Sequence, residues 1–519
     1  MSHAALDLLP LPAGTDGRQV ESSLTDGRQK IHPQTSRPQL PPRAVFAVVS
    51  LTILAPCFWQ PQIEATDLPS HLYNAWLYPL VRAGKLPGLS IAQQHTNVLA
   101  DILLEHALSW WGPWWASHLL AAVSVLVFFW GVFHFVAALT RRQPWYLTPL
   151  IAMLAYGAVF RLGFLNFYLS LGLCLWAGAL VLLRRRLYGL LALVLFALAV
   201  LAHPMPPGWL LLFLAYLLLA RRLSARHRPL LFALAASAIL AARLLLQYRF
   251  VTLWPSISLL APDTWIPLGE DQMLIYGQKY WYVCLALLSL FLWWIFRLFQ
   301  TKAPAAVFDD ALFQLLLLSA LASLLSPAAV ELALYRTPAS LLTVRASLLT
   351  AIPLCAVFAQ MKPPKLEKAA LAVAAAFFFS FAYVDERAIN RLEARLQDFV
   401  AKLPPGQRLV AVLHEPSSRG IAPFTHILDR ACIGRCFDYA NYEPSTAQFR
   451  IRATQPNAYV LSAPIAAQWE AGLYTLSPQD PPLYQIHLCD RKALRFCESP
   501  LRQGQMVRAD LVSILPELW

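Results

Sequence analysis

The chain reads as mainly α, a polytopic membrane helix bundle of about eleven transmembrane helices, followed by a small C-terminal extracytoplasmic α/β domain. Three observations predict this. Hydrophobic residues make up 58% of the 519 residues and charged ones 14%, with mean hydropathy +0.50; a soluble chain carries roughly a quarter charged residues. Long, nearly charge-free apolar segments recur, and segments of that length cross a hydrocarbon core as helices. Near residue 386 the composition turns to a mixed polar and apolar pattern, with short strand-like runs between Pro and Gly.

Taken in order, residues 1–42 are polar and Pro-rich, with Thr-Asp-Gly-Arg-Gln at both 15–19 and 25–29. They read as a disordered cytoplasmic tail that lacks the early apolar core of a cleavable signal peptide. The expected spans of the membrane domain, 43–385, are 44–59, 114–139, 146–160, 166–183, 187–203, 209–220, 229–247, 279–297, 311–326, 344–360 and 369–385. The runs 146–160 and 209–220 are the marginal ones. Arg141-Arg142, Arg184 to Arg186, Arg221 to Arg228, Arg297 to Lys302 and Lys362 to Lys368 fall in every second loop. That alternation puts the N-terminus in the cytoplasm and the segment from 386 outside, as in a bacterial inner or plasma membrane. The net charge of +13 is then cytoplasmic anchoring, and its scatter over short loops excludes a nucleic-acid partner.

In the extracytoplasmic domain, 386–519, Asn390–Leu403 reads as an amphipathic helix leading out of the last span. Leu409–Leu413 and Tyr459–Ser462 read as strands. Cys432, Cys436, Cys489 and Cys497 lie where the topology implies an oxidising compartment. Pairing 432 with 436 and 489 with 497 is the local solution among three connectivities. Free thiols and zinc are the alternatives, and neither pair has the Cys-x2-Cys spacing of a zinc site. Cys57, Cys174, Cys284 and Cys355 read as packing residues.

Residues 60–113 form an organised first outer loop. In 70–83 the apolar residues Leu72, Ala75, Trp76, Pro79 and Leu80 share one helical face, with Pro79 expected to kink or shorten the helix. In 95–111 Val98, Leu99, Ile102, Leu103, Trp110 and Trp111 do the same, opposite Asn97, Asp101 and Glu105. Both read as interfacial helices lying flat on the membrane. Ahead of them stands Glu64-Ala65-Thr66-Asp67, with His71 and Asn74 on the same helical face as Asp67.

This layout resembles the GT-C class of membrane glycosyltransferases: an acidic residue soon after the first span, two interfacial helices, many spans and a C-terminal extracytoplasmic domain. At residue level the likeness rests on Glu64-Ala65-Thr66-Asp67 and the helix that follows. The resemblance implies transfer of a sugar from a polyprenyl-phosphate carrier to an extracytoplasmic lipid, glycan or protein acceptor. The acids here are three apart, unlike the commoner Asp-Glu or Asp-x-Asp pair. No cofactor is therefore certain, and a divalent metal is left open.

The chemistry needs one carboxylate to take the acceptor hydroxyl proton as it attacks the anomeric carbon, with inversion in a single displacement. Asp67 is the candidate base; its bland reading is a helix N-cap ahead of Leu68-Pro69. The leaving phosphate needs a cation, and Arg161, Arg249, Arg336 and Arg345 are available, Arg336 ranking first. Glu64, His71, Asn74, Asp101, Glu105, Arg161, Asn166, His203 and Arg336 are candidate substrate-binding residues. Their bland readings are solvated helix faces, a capping His, and Arg side chains snorkelling to headgroups. Two other classes remain, a lipid or glycan transporter (flippase) and a non-catalytic envelope-assembly scaffold. Ionisable residues gather at the outer span ends rather than at mid-membrane, which favours surface chemistry over passage.

Overall fold

The computed structural model describes residues 43–183, 186–255, 268–416, 421–454, 457–462, 465, 468, 469 and 472–515; the expected 1–42 tail and the Arg184-Arg185 pair lie outside these. α1 (Arg43–Phe58) is apolar along its length and leads through a short loop into α2 (Leu68–Arg82). α3 (Leu99–Thr140) runs for 42 residues with a kink at Gly112, where φ is 80°. Pro113 follows, and its ring and missing N–H break the hydrogen-bond ladder while Gly accepts the positive φ. The second expected interfacial helix and the next span are thus one bent helix.

α4 (Thr148–Ala155) and α5 (Ala158–Arg161) take the place of the single span expected at 146–160. The break falls at Gly157, where a Cβ would lie 2.9 Å from both the Cβ and the carbonyl oxygen of Gln272. Gln272 fills the break, accepting the Val159 N–H at 3.3 Å. α6 (Leu165–Leu183), α7 (Arg186–Ala202), α8 (Met205–Arg222) and α9 (Arg228–Arg249) follow. α10 (Tyr280–Thr301), α11 (Pro304–Phe308), α12 (Ala311–Leu324), α13 (Leu342–Ala359) and α14 (Lys365–Val400) complete the bundle.

Among the described residues six helical stretches are long and apolar enough to cross a membrane: α3, α6, Ala225–Arg249, α10, α13 and α14. α1, Tyr188–Ala202 and α12 are shorter apolar helices. α3 and α6 cross closely. A Cβ on Gly131 would lie 2.8 Å from the Gly172 carbonyl oxygen, and one on Gly172 would lie 2.8 Å from the Phe128 nitrogen. Small residues let helix backbones touch where lipid offers no apolar driving force for association.

α14 runs 36 residues without a break, so the expected last span and the amphipathic helix after it are continuous. The strands among the described residues are β1 (Leu89–Ile91), β2 (Thr252–Leu253), β3 (Ala329–Val330), β4 (Arg408–Ala411), β5 (Leu413–His414), β6 (Phe437–Asp438), β7 (Ile451–Ala453), β8 (Tyr484–Asp490), β9 (Arg495–Pro500) and β10 (Asp510–Leu511). Beyond α14 a four-stranded sheet has the order β6-β4-β8-β9. β4 lies parallel to β6 and β8, and β8 and β9 form an antiparallel pair. Successive residues of β4 point to opposite faces. Leu409 joins the main core, whereas Val410 joins a second cluster with Tyr439, Trp469 and Tyr474. Tyr459–Ser462 is not a strand. Asn457 Oδ1 accepts the N–H groups of Tyr459 (2.9 Å) and Val460 (2.8 Å), a local turn that competes with a ladder. Cys432–Cys436 and Cys489–Cys497 are disulfide-bonded, and Cys57, Cys174, Cys284 and Cys355 are free and buried.

α2 does not lie open on a membrane surface. Ten of its fifteen residues are buried, and the helix runs through Pro79 to Arg82. The C-terminal region covers it: α15 (Ile427–Cys432) packs on it, the Trp76 and Phe437 rings are 6.1 Å apart, and the Tyr73 hydroxyl accepts the Asp438 N–H at 3.1 Å. β1 pairs antiparallel with β7, Leu89 opposite Ala453, stitching 60–113 to the same region. A further helix, α16 (Glu443–Thr446), is a single buried turn.

Candidate active site

The loop between α1 and α2 is held by charged groups at the far end of α14. Trp59 Nε1 donates to Glu386 at 2.7 Å, and Asn390 Oδ1 accepts the Gln62 N–H at 2.8 Å. Arg430 on α15 donates to both Glu393 oxygens at 3.0 Å and to the Ile63 carbonyl at 2.9 Å. Arg161 donates to the Glu64 carbonyl at 3.0 Å and pairs with Glu386. Each cation here has an acid and a carbonyl as partners, the condition under which buried charge is tolerated.

The same turn fixes the backbone of Asp67. Thr66 N–H donates to the Arg161 carbonyl (2.8 Å) and Asp67 N–H to the Leu162 carbonyl (3.2 Å). Gly163, at φ +85°, lies against them, and a Cβ there would sit 2.6 Å from the Asp67 nitrogen. Only glycine meets both demands. Gly163→Ala is therefore expected to displace the Asp67 backbone and to destabilise the fold by about 1–3 kcal/mol, the usual cost of imposed backbone strain. Thermal unfolding of the detergent-extracted variant checks this.

Asp67 occupies the N-cap position of α2, yet its side chain makes no capping hydrogen bond. The cap reading therefore does not account for the carboxylate. Its side chain is 18% exposed and faces His426, with Oδ1 3.8 Å from Nε2. The Tyr442 hydroxyl hydrogen-bonds to it, and His71 and Arg345 act on it electrostatically. Burial pushes its pKa above the ordinary carboxylate value, and those groups offset this only in part. His426 Nδ1 is 3.3 Å from Asp429 on α15, and the Tyr442 ring stacks on the imidazole at 4.9 Å. Arg345 on α13 lies over the Phe164 ring, 4.1 Å from its centroid. Its Nε is buried and has no hydrogen-bond partner among the described residues.

Three of the other expected residues form a neighbouring cluster. His71 Nδ1 lies 3.2 Å from Asp101 and 3.0 Å from Glu443. Burial alone would lower the His71 pKa, but the two carboxylates outweigh it and hold the imidazole charged. Asn74 and Asn441 exchange side-chain hydrogen bonds at 3.0 Å, and Ser70 Oγ donates to Glu443 at 3.0 Å.

The remaining expected residues have other partners. The Glu64 carboxylate accepts from Asn390; burial, reinforced by Glu393, raises its pKa well above the ordinary value. Glu105 pairs with Arg82 and Arg450. Asn166 Oδ1 accepts the Ala100 N–H at 2.7 Å at the start of α3. His203 Nδ1 accepts the Met205 N–H at 3.2 Å. Arg336 and Arg249 are exposed, and no described contact joins either to Asp67.

His426, Asp429, Tyr442 and Glu443 were not anticipated. Their one sequence signal is a His and an Asp three apart just before a cysteine, which is weak. Among the described residues no group of three or more His, Cys, Asp or Glu is spaced to hold a metal ion. A cavity of about 550 Å³, lined by Ala225, Pro229, Phe232, Phe308, Asp309 and Leu317, involves none of these residues. No protein-family model, curated protein or solved structure matches the chain, so its function rests on this geometry.

Proposed function

We propose that the protein is a GT-C-type membrane glycosyltransferase that moves a sugar from a polyprenyl-phosphate carrier to an extracytoplasmic acceptor. The observation that carries this is Asp67: a carboxylate not spent on helix capping, partly open to solvent, with its basicity raised by burial. It takes the acceptor hydroxyl proton while the oxygen attacks the anomeric carbon and the carrier phosphate leaves from the opposite face. A raised pKa makes it a stronger base near neutral pH than an exposed Asp.

Arg345 replaces Arg336 as the favoured phosphate ligand. A guanidinium held on an aromatic face, with a buried Nε that has no partner among the described residues, is suited to a phosphate oxygen. Arg345→Ala is expected to lower turnover about 100- to 1,000-fold, with Arg345→Lys restoring part of it. Single-turnover rates on the two variants check the order.

On this reading Asp67 lies at the extracytoplasmic membrane face, the side expected from the alternation of basic loops. Exposed Trp110, Trp111, Trp114 and Trp115 around the α3 kink support an interfacial position, where Trp is enriched. The test is incubation of the purified protein with a panel of polyprenyl-phosphate sugars, scoring carrier phosphate release. Release with any donor supports the reading. Flux of an intact lipid-linked sugar across vesicles without release replaces it with a flippase.

A further inference from the structure

The candidate base must be cleared of its proton after every turnover, and the groups behind Asp67 are arranged for that. We infer that His426 is a positioning residue that accepts the proton from Asp67, with Asp429 holding its ring and balancing the imidazolium that forms. The inference rests on the base reading above.

Three observations carry it. His426 presents Nε2 to Asp67 at 3.8 Å and Nδ1 to Asp429 at 3.3 Å. An imidazole between two acids, with the second on its far nitrogen, has Nδ1 as donor and Nε2 as acceptor, the tautomer able to receive a proton. The 3.8 Å gap is longer than a hydrogen bond, and such contacts commonly tighten when substrate binds. Next, Asp429 is fully buried and has His426 as its side-chain partner. A buried carboxylate with so little support is costly, and a cation forming at His426 offsets that cost. Finally, Tyr442 stacks on the ring at 4.9 Å and also hydrogen-bonds Asp67, so one side chain sets the angle between donor and acceptor.

The step balances without any co-reactant. The acceptor oxygen forms the new bond to the anomeric carbon as the carbon–oxygen bond to the carrier phosphate breaks, its electrons leaving on the phosphate. The hydroxyl proton passes to an Asp67 oxygen, then to His426 Nε2, and is lost to water before the next cycle. Among the described residues, the charged and titratable groups around His426 and its partners include Asp67 at the start of α2, His71 one turn on, Asp429 on α15, Asp438 in β6 and Tyr442 before α16. Arg345 on α13 acts through Asp67.

The experiment compares kcat against pH for the full-length protein, Asp67→Asn, His426→Gln and Asp429→Asn, with the donor that gives release. For the wild type, log kcat should fall on the acid side with a limiting slope of two, since both Asp67 and His426 must be unprotonated. His426→Gln should reduce the slope to one and lower kcat about tenfold, with KM changed less than twofold. Asp429→Asn, which preserves shape, should shift the upper ionisation to lower pH, because the imidazolium loses its partner. A lower kcat with the slope still two means a structural role and overturns the inference, as does an unchanged profile in either variant. Where His426→Gln does not extract as folded protein, the Asp429→Asn profile decides alone. No turnover in the wild type, or undiminished turnover in Asp67→Asn, removes the base reading itself and is seen separately.

Discussion

Under the proposed glycosyltransferase function, Asp67→Asn is expected to lower sugar transfer by about 100- to 10,000-fold, the range that a general base contributes. Asn keeps the size of the side chain and can still hydrogen-bond the Tyr442 hydroxyl, but it takes no proton. The loss should come without loss of protein. Asp67 makes no capping hydrogen bond to α2, and the main-chain bonds of Thr66 and Asp67 to the Arg161–Leu162 turn remain. Membrane yield and thermal unfolding in detergent should therefore match the wild type. The wild-type rate should also fall as the pH drops through the Asp67 pKa. Because burial raises that pKa, the acid limb should begin at higher pH than for an exposed carboxylate. Undiminished transfer by Asp67→Asn would remove this residue as the base.

Arg161→Met is expected to destabilise the fold by about 3–5 kcal/mol, the cost of leaving a buried charge unpaired. Arg161 and Glu386 are each 2% exposed at their side chains and pair directly. Arg161 also holds the Glu64 carbonyl, and its own carbonyl accepts from Thr66. The loop that carries Asp67 should loosen along with the pair, so activity should fall too. The double variant Arg161→Met with Glu386→Gln should recover most of the stability, since no unpaired charge is then left. Thermal unfolding of the purified variants checks both. Equal destabilisation in the single and double variants would show that the ion pair is not the source.

Much of the helical layout was legible from composition and spacing. Apolar length is read directly because the hydrocarbon core imposes it, and helices occur at nearly every expected span. The break at Gly157 was not legible, since it depends on Gln272 arriving from a distant segment. The role of α2 was misread for a related reason. A face of Leu72, Ala75 and Trp76 packs equally well on lipid or on protein, and the periodicity does not tell which. The pairing Cys432–Cys436 and Cys489–Cys497 was legible because short separations leave little choice.

At the site, Asp67 stood out because an acid beside a span is costly unless it is used. Arg161 stood out for the same reason, but its partner Glu386 makes it a structural brace rather than an exposed phosphate ligand. Arg336 was preferred to Arg345 on loop position alone. The packing of Phe164 under Arg345 and its electrostatic link to Asp67 are why the proposed function takes Arg345 instead.

The amino-acid sequence by itself determined that this chain is built of long apolar helices with a mixed, disulfide-bearing C-terminal segment, and that Asp67 follows the first of them. Helix length, face and charge placement are local properties, set by periodicity and by the cost of charge in hydrocarbon. Only the tertiary structure decided that His426, Tyr442 and Arg345 surround that carboxylate. These groups lie far apart in the chain, and they meet because α13, α15 and the α2 loop pack together, a result of side-chain shape and of ion pairs such as Arg430 with Glu393 that no local pattern encodes.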